Sequence, residues 1–339
     1  MSGVGEVVNN VLFGKDDWLF LWQGGQRQFD FLTGKRDPVG NSIENFVSNL
    51  LARNKFCADR SIAYAHVTFP SKPVVMVEFL PDAIADQVVS LFDRHYAEPL
   101  KISGNNNIFY ARDALLASKN VDQVFCKHDT HMTAFGNIVV ARGILQALGH
   151  VHDPIDHMEM SECSRPGDLS NMADLRIRMS EKHFAVADDS FKFFDNRPFL
   201  PGNIDNIVIS LNRKAESDRR LLALGDSFLK DCIPALSTFY QDILYVRSDV
   251  FQPELIDLFG PTEIITSNAE RYLSSVANDI TASSVFMTGY GRENYTPSEE
   301  FVNALTAQLS FRAYPHKYSE WAASISEIDE NKLPQSVNN

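Results

Sequence analysis

Cysteine is scarce in this 339-residue chain: Cys57, Cys126, Cys163 and Cys232 are widely scattered and form no C-x-x-C pair. Three of them sit inside apolar or helical-looking text and read as small buried hydrophobes rather than disulfides. Positive charge is in deficit, with 31 Lys and Arg against 44 Asp and Glu and a formal net charge of −13. A nucleic-acid partner is disfavoured on that ground, because gripping a phosphate backbone needs a basic surface. Docking on anionic lipid is disfavoured for the same reason. No apolar run approaches the length needed to span a bilayer, so no transmembrane segment is expected. Residues 1–10 lack a basic start followed by an apolar core, so no signal peptide is read and the chain as written is expected to be cytoplasmic. Neither G-x-G-x-x-G nor G-x-x-x-x-G-K-[ST] occurs, which removes the familiar phosphate cradles and leaves no cofactor expected. Internal repeats and low-complexity segments are also lacking.

What is present is ordinary globular text, 44% hydrophobic and 22% charged, with length enough for a large α/β domain. Residues 12–22 read as a turn followed by an aromatic strand that Gly24-Gly25 ends. Ser42 reads as the N-cap of a helix with Ile43, Phe46, Val47, Leu50 and Leu51 on one face. Residues 62–69 read as a strand, 74–80 as a second short apolar run closed by Pro81, and about 84–96 as a helix. A short strand at 108–110 and a short helix at 111–118 follow. Val124-Phe125-Cys126 is strand-like and leads into Lys127-His128-Asp129-Thr130-His131. A strong helix then runs through Ile138, Val139, Ile144, Leu145 and Leu148 to Gly149. Further strands are read at 207–211, 243–246 and 263–266, with helices at 253–259 and 298–311, the last carrying Phe301, Leu305 and Leu309 inward. Residues 151–202 have poor periodicity and many prolines and aromatics, and read as a loop-rich insertion. The layout expected is a single domain over 1–315 containing that insertion, and a polar tail over 316–339.

Residues 221–224 form a wholly apolar run, as in a strand buried on both faces. Gly225 breaks it, and helical spacing resumes through Leu229, Ile233, Leu236 and Phe239. Ser227 thus falls on a strand–turn–helix junction at the C-terminal edge of a sheet, beside a helix N-terminus with free N–H groups. On this stretch alone, helix capping by Asp226 and Ser227 is the simpler reading. A second sheet-edge turn carries Asp129 and His131. A serine hydroxyl attacks only with a base in hydrogen-bond reach, and the base needs a third group to fix its tautomer. Asp and His two residues apart meet that need locally. The alternatives for the tripeptide are a cap with a surface or core histidine, or a metal held by His128, Asp129 and His131. Metal ranks well below the triad, because no second cluster with ligand-like spacing stands out.

The motifs, taken together, resemble a known family. Gly14-Lys15-Asp16-Asp17-Trp18-Leu19-Phe20 is similar to the G-K-D-G-W-L-F opening of the alginate O-acetyltransferase (AlgX/AlgJ-like) group of SGNH-hydrolase-like proteins. Pro70-Ser71-Lys72 with Val77-Glu78-Phe79-Leu80-Pro81 resembles its P-x-K…P-E-x-L-P segment. Asp129-Thr130-His131 matches D-T-H-W, Gly167-Asp168-Leu169 matches G-D-L, Gly225-Asp226-Ser227-Phe228 matches G-D-S-F, and Glu270-Arg271-Tyr272-Leu273 matches E-R-Y-L. The set runs in the family's order over residues 12–273.

The resemblance implies an α/β, flavodoxin-like, mostly parallel sheet with helices on both faces. Its motif order is circularly permuted, with Asp-x-His ahead of the serine. It implies Ser227 as nucleophile, His131 as base and Asp129 as orienter, moving acetyl from a donor onto the hydroxyls of a polysaccharide or its precursor. Family members work with a carbohydrate acceptor, and in the best-known cases a membrane-bound partner supplies the acetyl. The Ser227 N–H would be one oxyanion donor and Asn268 a second, with Arg271 and Tyr272 as substrate contacts; an ion pair with a neighbouring carboxylate is the plain alternative for Arg271. The aromatics of 151–202 would give an acceptor wall, or else an ordinary secondary core. Met132 departs from the pattern's tryptophan and Asp17 from its glycine. An esterase or deacetylase using the same triad, and a non-catalytic glycan-binding scaffold, are the competing functions.

Overall fold

The computed structural model describes residues 3–187, 191–200, 202, 204–282, 285 and 300. Its strands, in chain order, are β1 (Val7–Val8), β2 (Val11–Phe13), β3 (Leu19–Leu21), β4 (Ala63–Phe69), β5 (Ile108–Tyr110), β6 (Met158–Pro166), β7 (Arg178–Val186), β8 (Lys192–Asp195), β9 (Ile207–Leu211), β10 (Ser217–Gly225), β11 (Tyr240–Arg247) and β12 (Glu263–Ala269). The helices that position the site are α1 (Ser42–Ala58), α2 (Arg112–Ser118), α3 (Ala134–Ala147), α4 (Ser227–Leu236) and α5 (Pro253–Phe259). The main sheet runs β5-β4-β12-β10-β11-β9-β8. Pairing is parallel from β5 to β11 and antiparallel at β11/β9 and β9/β8. The architecture is therefore the mostly parallel α/β sheet that the motifs implied.

β10 shows why the apolar run had no period. Leu221 and Ala223 belong to one core, with Phe228, Leu229 and the inward residues of α3 and α4. Leu222 and Leu224 belong to the other, with Phe46 and Leu50 of α1 and Leu255, Ile256 and Phe259 of α5. A strand covered by helices on both faces needs apolar residues on both, and each buried leucine contributes about 1.5–3 kcal/mol. The chain leaves β10 through α4 to β11 on one side, then returns through α5 to β12 on the other. β10 is thus the switch point of the sheet, and open α/β sheets have their crevice at the C-terminal end of such a strand. Gly225 ends β10 there.

Several local expectations differ from the structure. Ser42 is not a cap: Asn41 precedes α1, and the Ser42 hydroxyl donates to Leu273 O (3.0 Å) and accepts from Val276 N–H (2.8 Å). The short apolar run 74–80 falls in the short helix Lys72–Val75, with Pro73 near its start, and in a 3-10 turn, Val77–Phe79. The helix expected over 84–96 is two pieces, Asp82–Ala85 and Leu91–His95, because Ser90 starts the second by accepting from Asp93 N–H. Val124-Phe125-Cys126 contributes only a bridge from Phe125 to Met132. Residues 151–202, read as loop-rich, carry the β6/β7 hairpin of nine residue pairs and the edge strand β8. Most of the hairpin is exposed on both faces, so it has no apolar alternation to read. The helix expected at 298–311, with Phe301, Leu305 and Leu309, and the tail at 316–339 lie outside the described residues. No described helix is long and apolar enough to cross a membrane.

Candidate active site

The turn after β10 is pinned from several directions. A Cβ on Gly225 would lie 2.0 Å from Ser267 Oγ, so only glycine lets β10 and β12 approach this closely. Asp226 is the N-cap of α4: its Oδ1 accepts from Phe228 N–H (3.0 Å) and its Oδ2 from Ala269 N–H (2.6 Å) at the end of β12. Tyr245 OH donates to the carbonyls of Gly225 and Asp226. Ser227 is left as the first helical residue, half-buried, and its N–H has no acceptor within the helix. The capping reading was therefore right about Asp226, and the cap is what frees Ser227.

The opposing loop hangs on Lys72. Its buried ammonium donates to the carbonyls of Leu19, Cys126, Lys127 and Asp129 at 2.7–3.0 Å. It also lies about 5 Å over the rings of Trp18 and Phe20. Three motifs that looked independent in the text thus converge on one nitrogen. Burial pushes that amine down to about 7, against the nearby charges of Cys126, Asp129 and Asp168. Gly167 allows a second close approach, since a Cβ there would meet His128 O at 2.0 Å. Asp168 then accepts from the Thr130 N–H (2.7 Å) and hydroxyl.

Within this frame the three residues singled out from the sequence come together. Asp129 Oδ1 accepts from the His131 backbone N–H (2.9 Å) and lies 2.8 Å from His131 Nδ1. His131 Nε2 lies 3.1 Å from Ser227 Oγ. Asp129 is 2% exposed, yet its charge is well matched. Burial raises its carboxyl, but hydrogen bonds from His131, the His131 charge and Arg165 outweigh that and hold it well below the usual carboxylate range. Arg165 reaches Asp129 Oδ2 at 2.6 Å from β6 while its Nε donates to Glu181 on β7. Burial lowers His131, but the Asp129 hydrogen bond and the charges of Asp231, Asp129 and Asp168 carry it above the ordinary histidine value. Asp231 stands four residues after Ser227 on α4, one helical turn on; burial raises its own carboxyl.

Asn268, Arg271 and Tyr272 stand further from this chain of contacts. Arg271 lies over the rings of Phe228 (5.4 Å) and Tyr272 (5.0 Å), and Phe228 is 5.2 Å from the His131 ring. Among the described residues no carboxylate pairs with Arg271. Asn268 and Tyr272 line a cavity of about 410 Å³, together with Gly225, Asp226 and Arg247. Met132 is buried in the main core, so that position is no aromatic wall; Phe228 is the aromatic beside the histidine. Phe184 and Phe194 of the 151–202 region pack against the two cores. As for metal, His128 turns away from the alternative trio and meets Asp17 O at 3.0 Å. Asp129, His131 and Asp168 offer ligand atoms within 4.8 Å of one another, but all three are engaged in hydrogen bonds, Asp129 Oδ1 with His131 and Asp168 with Thr130.

Lys72, Asp168, Arg165 and Asp231 were missed as site residues. Lys72 and Asp168 lie inside the family's motifs, and Asp231 has helical spacing from Ser227. Arg165 had no signal, because a cross-hairpin contact leaves none in the text.

A serine on the switch-point turn of a mostly parallel sheet, faced by an Asp-x-His loop, is the architecture of the SGNH hydrolase-like class. The family described as "SGNH hydrolase-like domain, acetyltransferase AlgX" matches residues 11–199. The chain belongs to this family, and is an SGNH-like acyltransferase. The matched span holds Lys72, Asp129, His131, Arg165 and Asp168; Ser227 lies beyond it. Among solved structures, Bacillus cereus PatB1 with a sulfonyl adduct is similar at TM-score 0.56 and 12% identity, over 80% of this chain and 99% of that one. A DHHW family protein from Eubacterium siraeum is similar at TM-score 0.54 and 13% identity, over 72% of this chain and 88% of that one. Both likenesses are of fold. No curated protein matches the chain.

Proposed function

We propose that the protein is a carbohydrate O-acetyltransferase that works through an acetyl-Ser227 intermediate. The observation that carries the reading is the continuous chain from Asp129 Oδ1 through His131 to Ser227 Oγ, with contacts of 2.8 and 3.1 Å. His131 Nε2 takes the Ser227 proton as Oγ attacks the acetyl carbonyl of the donor, and Asp129 stabilises the imidazolium. The oxyanion formed is met by the Ser227 N–H at the start of α4. Collapse expels the donor's leaving group, which takes the proton from His131, and leaves acetyl on Oγ. A sugar hydroxyl then gives its proton to His131 and attacks the ester; collapse returns the proton to Ser227 and releases the acetylated sugar. Arg271, beside Phe228, is a cation available to donor or acceptor, and the cavity lined by Asn268 and Tyr272 is a second surface next to the turn.

Turnover of an activated acetyl ester, with and without oligosaccharides, tests the reading. Acetylated sugar is expected; free acetate alone would make the protein a hydrolase, and no turnover with no effect of Ser227→Ala would end the catalytic account. Because B. cereus PatB1 is known with a sulfonyl adduct, a sulfonyl fluoride is a suitable titrant, expected to label Ser227.

A further inference from the structure

At the opposite end of β10 a second group of side chains converges. His152 and His157 follow α3, Glu216 immediately precedes β10, and each offers a ligand atom within 4.8 Å of the others. The length of α4 from Ser227, with Thr238 just past its end touching His152, puts this cluster roughly 20 Å from the Ser227 turn. The two imidazoles stack with centroids 4.7 Å apart.

Their tautomers are not arbitrary. Thr238, which is 3% exposed, donates its hydroxyl hydrogen to Ala235 O (2.7 Å). The hydroxyl oxygen, 2.8 Å from His152 Nε2, is therefore an acceptor for an Nε2–H. That fixes the proton on Nε2 and leaves Nδ1 with a free lone pair, the arrangement in which metal-ligating histidines are held by their outer partners. Phe239 supports the His152 ring at 5.4 Å. Asp153, bound twice by Arg142 at 2.6 Å, accepts from Ile155 N–H and so sets the 3-10 turn Pro154–His157 that presents His157. Nearby His150 is already committed to Glu263 (2.8 Å), so it is no part of the set.

We propose that His152 Nδ1, His157 and Glu216 bind a zinc-class divalent ion that clasps the turn after α3 to the start of β10. Two imidazoles and one carboxylate suit zinc, with water completing a tetrahedron. Zinc bonds of about 2.0–2.2 Å draw the ligand atoms closer than 4.8 Å, and His157 and Glu216, both exposed, have the rotamer freedom to close.

Calorimetric titration of zinc into the chelator-stripped full chain tests this. One saturable site is expected. His157→Ala should weaken it by about tenfold or more and Glu216→Gln should also weaken it, while Ser227→Ala leaves it unchanged. Cobalt should give a visible absorption band in the wild type that His157→Ala abolishes. Turnover of the acetyl ester should be unaffected by either ligand variant, so the site and the catalytic reading fail independently. Absence of saturable binding, or binding that His157→Ala and Glu216→Gln leave intact, overturns the assignment. Both variants alter exposed side chains, and circular dichroism establishes that they fold.

Discussion

Replacing Lys72 with Met probes the anchor that joins the scaffold to the candidate site. The ammonium donates to four carbonyl oxygens, two of them (Lys127 and Asp129) in the loop that carries His131. Methionine fills the same space between Trp18, Phe20 and the loop but offers no donor. Three N–H groups shared among the four carbonyls, at about 1.5 kcal/mol per charged hydrogen bond, give a gross loss of about 4 kcal/mol. Relief from burying an ammonium returns part of it, for a net destabilisation of about 2–3 kcal/mol. Urea unfolding should show a lower midpoint with an unchanged slope. Turnover should fall as well, by about tenfold or more, because a small displacement of His131 lengthens its contact with Ser227. A loss below about 0.5 kcal/mol together with normal turnover would refute the idea that Lys72 sets the loop.

Arg165→Met should lower kcat and kcat/KM together, by about 10–100-fold, because the guanidinium acts through Asp129. Its effect on stability should be about 1–2 kcal/mol, since the guanidinium is 40% exposed but Asp129 is buried and keeps only its His131 and Asp168 N–H bonds; a change in KM alone would speak against this role. In the proposed mechanism neutral His131 is the active form, so the acid limb of kcat/KM should have its midpoint above the ordinary 6.5, and Asp231→Asn should move it down. The stability linked to this raised group is fully present below pH 6.5 and is lost as pH rises through the folded value; a midpoint indifferent to Asp231 would contradict the charge assignment. Asp17 stands at φ +60°, in the left-handed region, so Asp17→Gly should raise thermal stability by up to about 1 kcal/mol, and a decrease would contradict the strain argument.

The text disclosed the centre of the molecule better than its edges. Leu221 to Ser227 could be read because a doubly covered strand, a close-approach glycine and a helix start each leave a local mark. Asp129 and His131 could be read because their contact spans two residues. The same text presented Lys72 and Asp168 as pieces of motifs without saying what they do, since their partners lie in other segments. Asp17 is the instructive departure: the pattern has glycine where this chain has aspartate, and the backbone there is still the one glycine favours. Ser42 misled because a serine at a helix start is usually a cap, and here its hydroxyl is drawn away to residues 273–276. The β6/β7 hairpin was illegible because it is exposed on both faces, yet it delivers Arg165 to the buried carboxylate. Long-range pairing of that kind has no short-range signature.

The central claim concerns one oxygen atom. Intact and peptide mass spectrometry after brief exposure to an activated acetyl ester measures it directly. A single acetyl group on Ser227 is expected, formed slowly or not at all in His131→Ala and discharged when an oligosaccharide is added. Acetylation at another residue, or turnover that persists in Ser227→Ala, would contradict it.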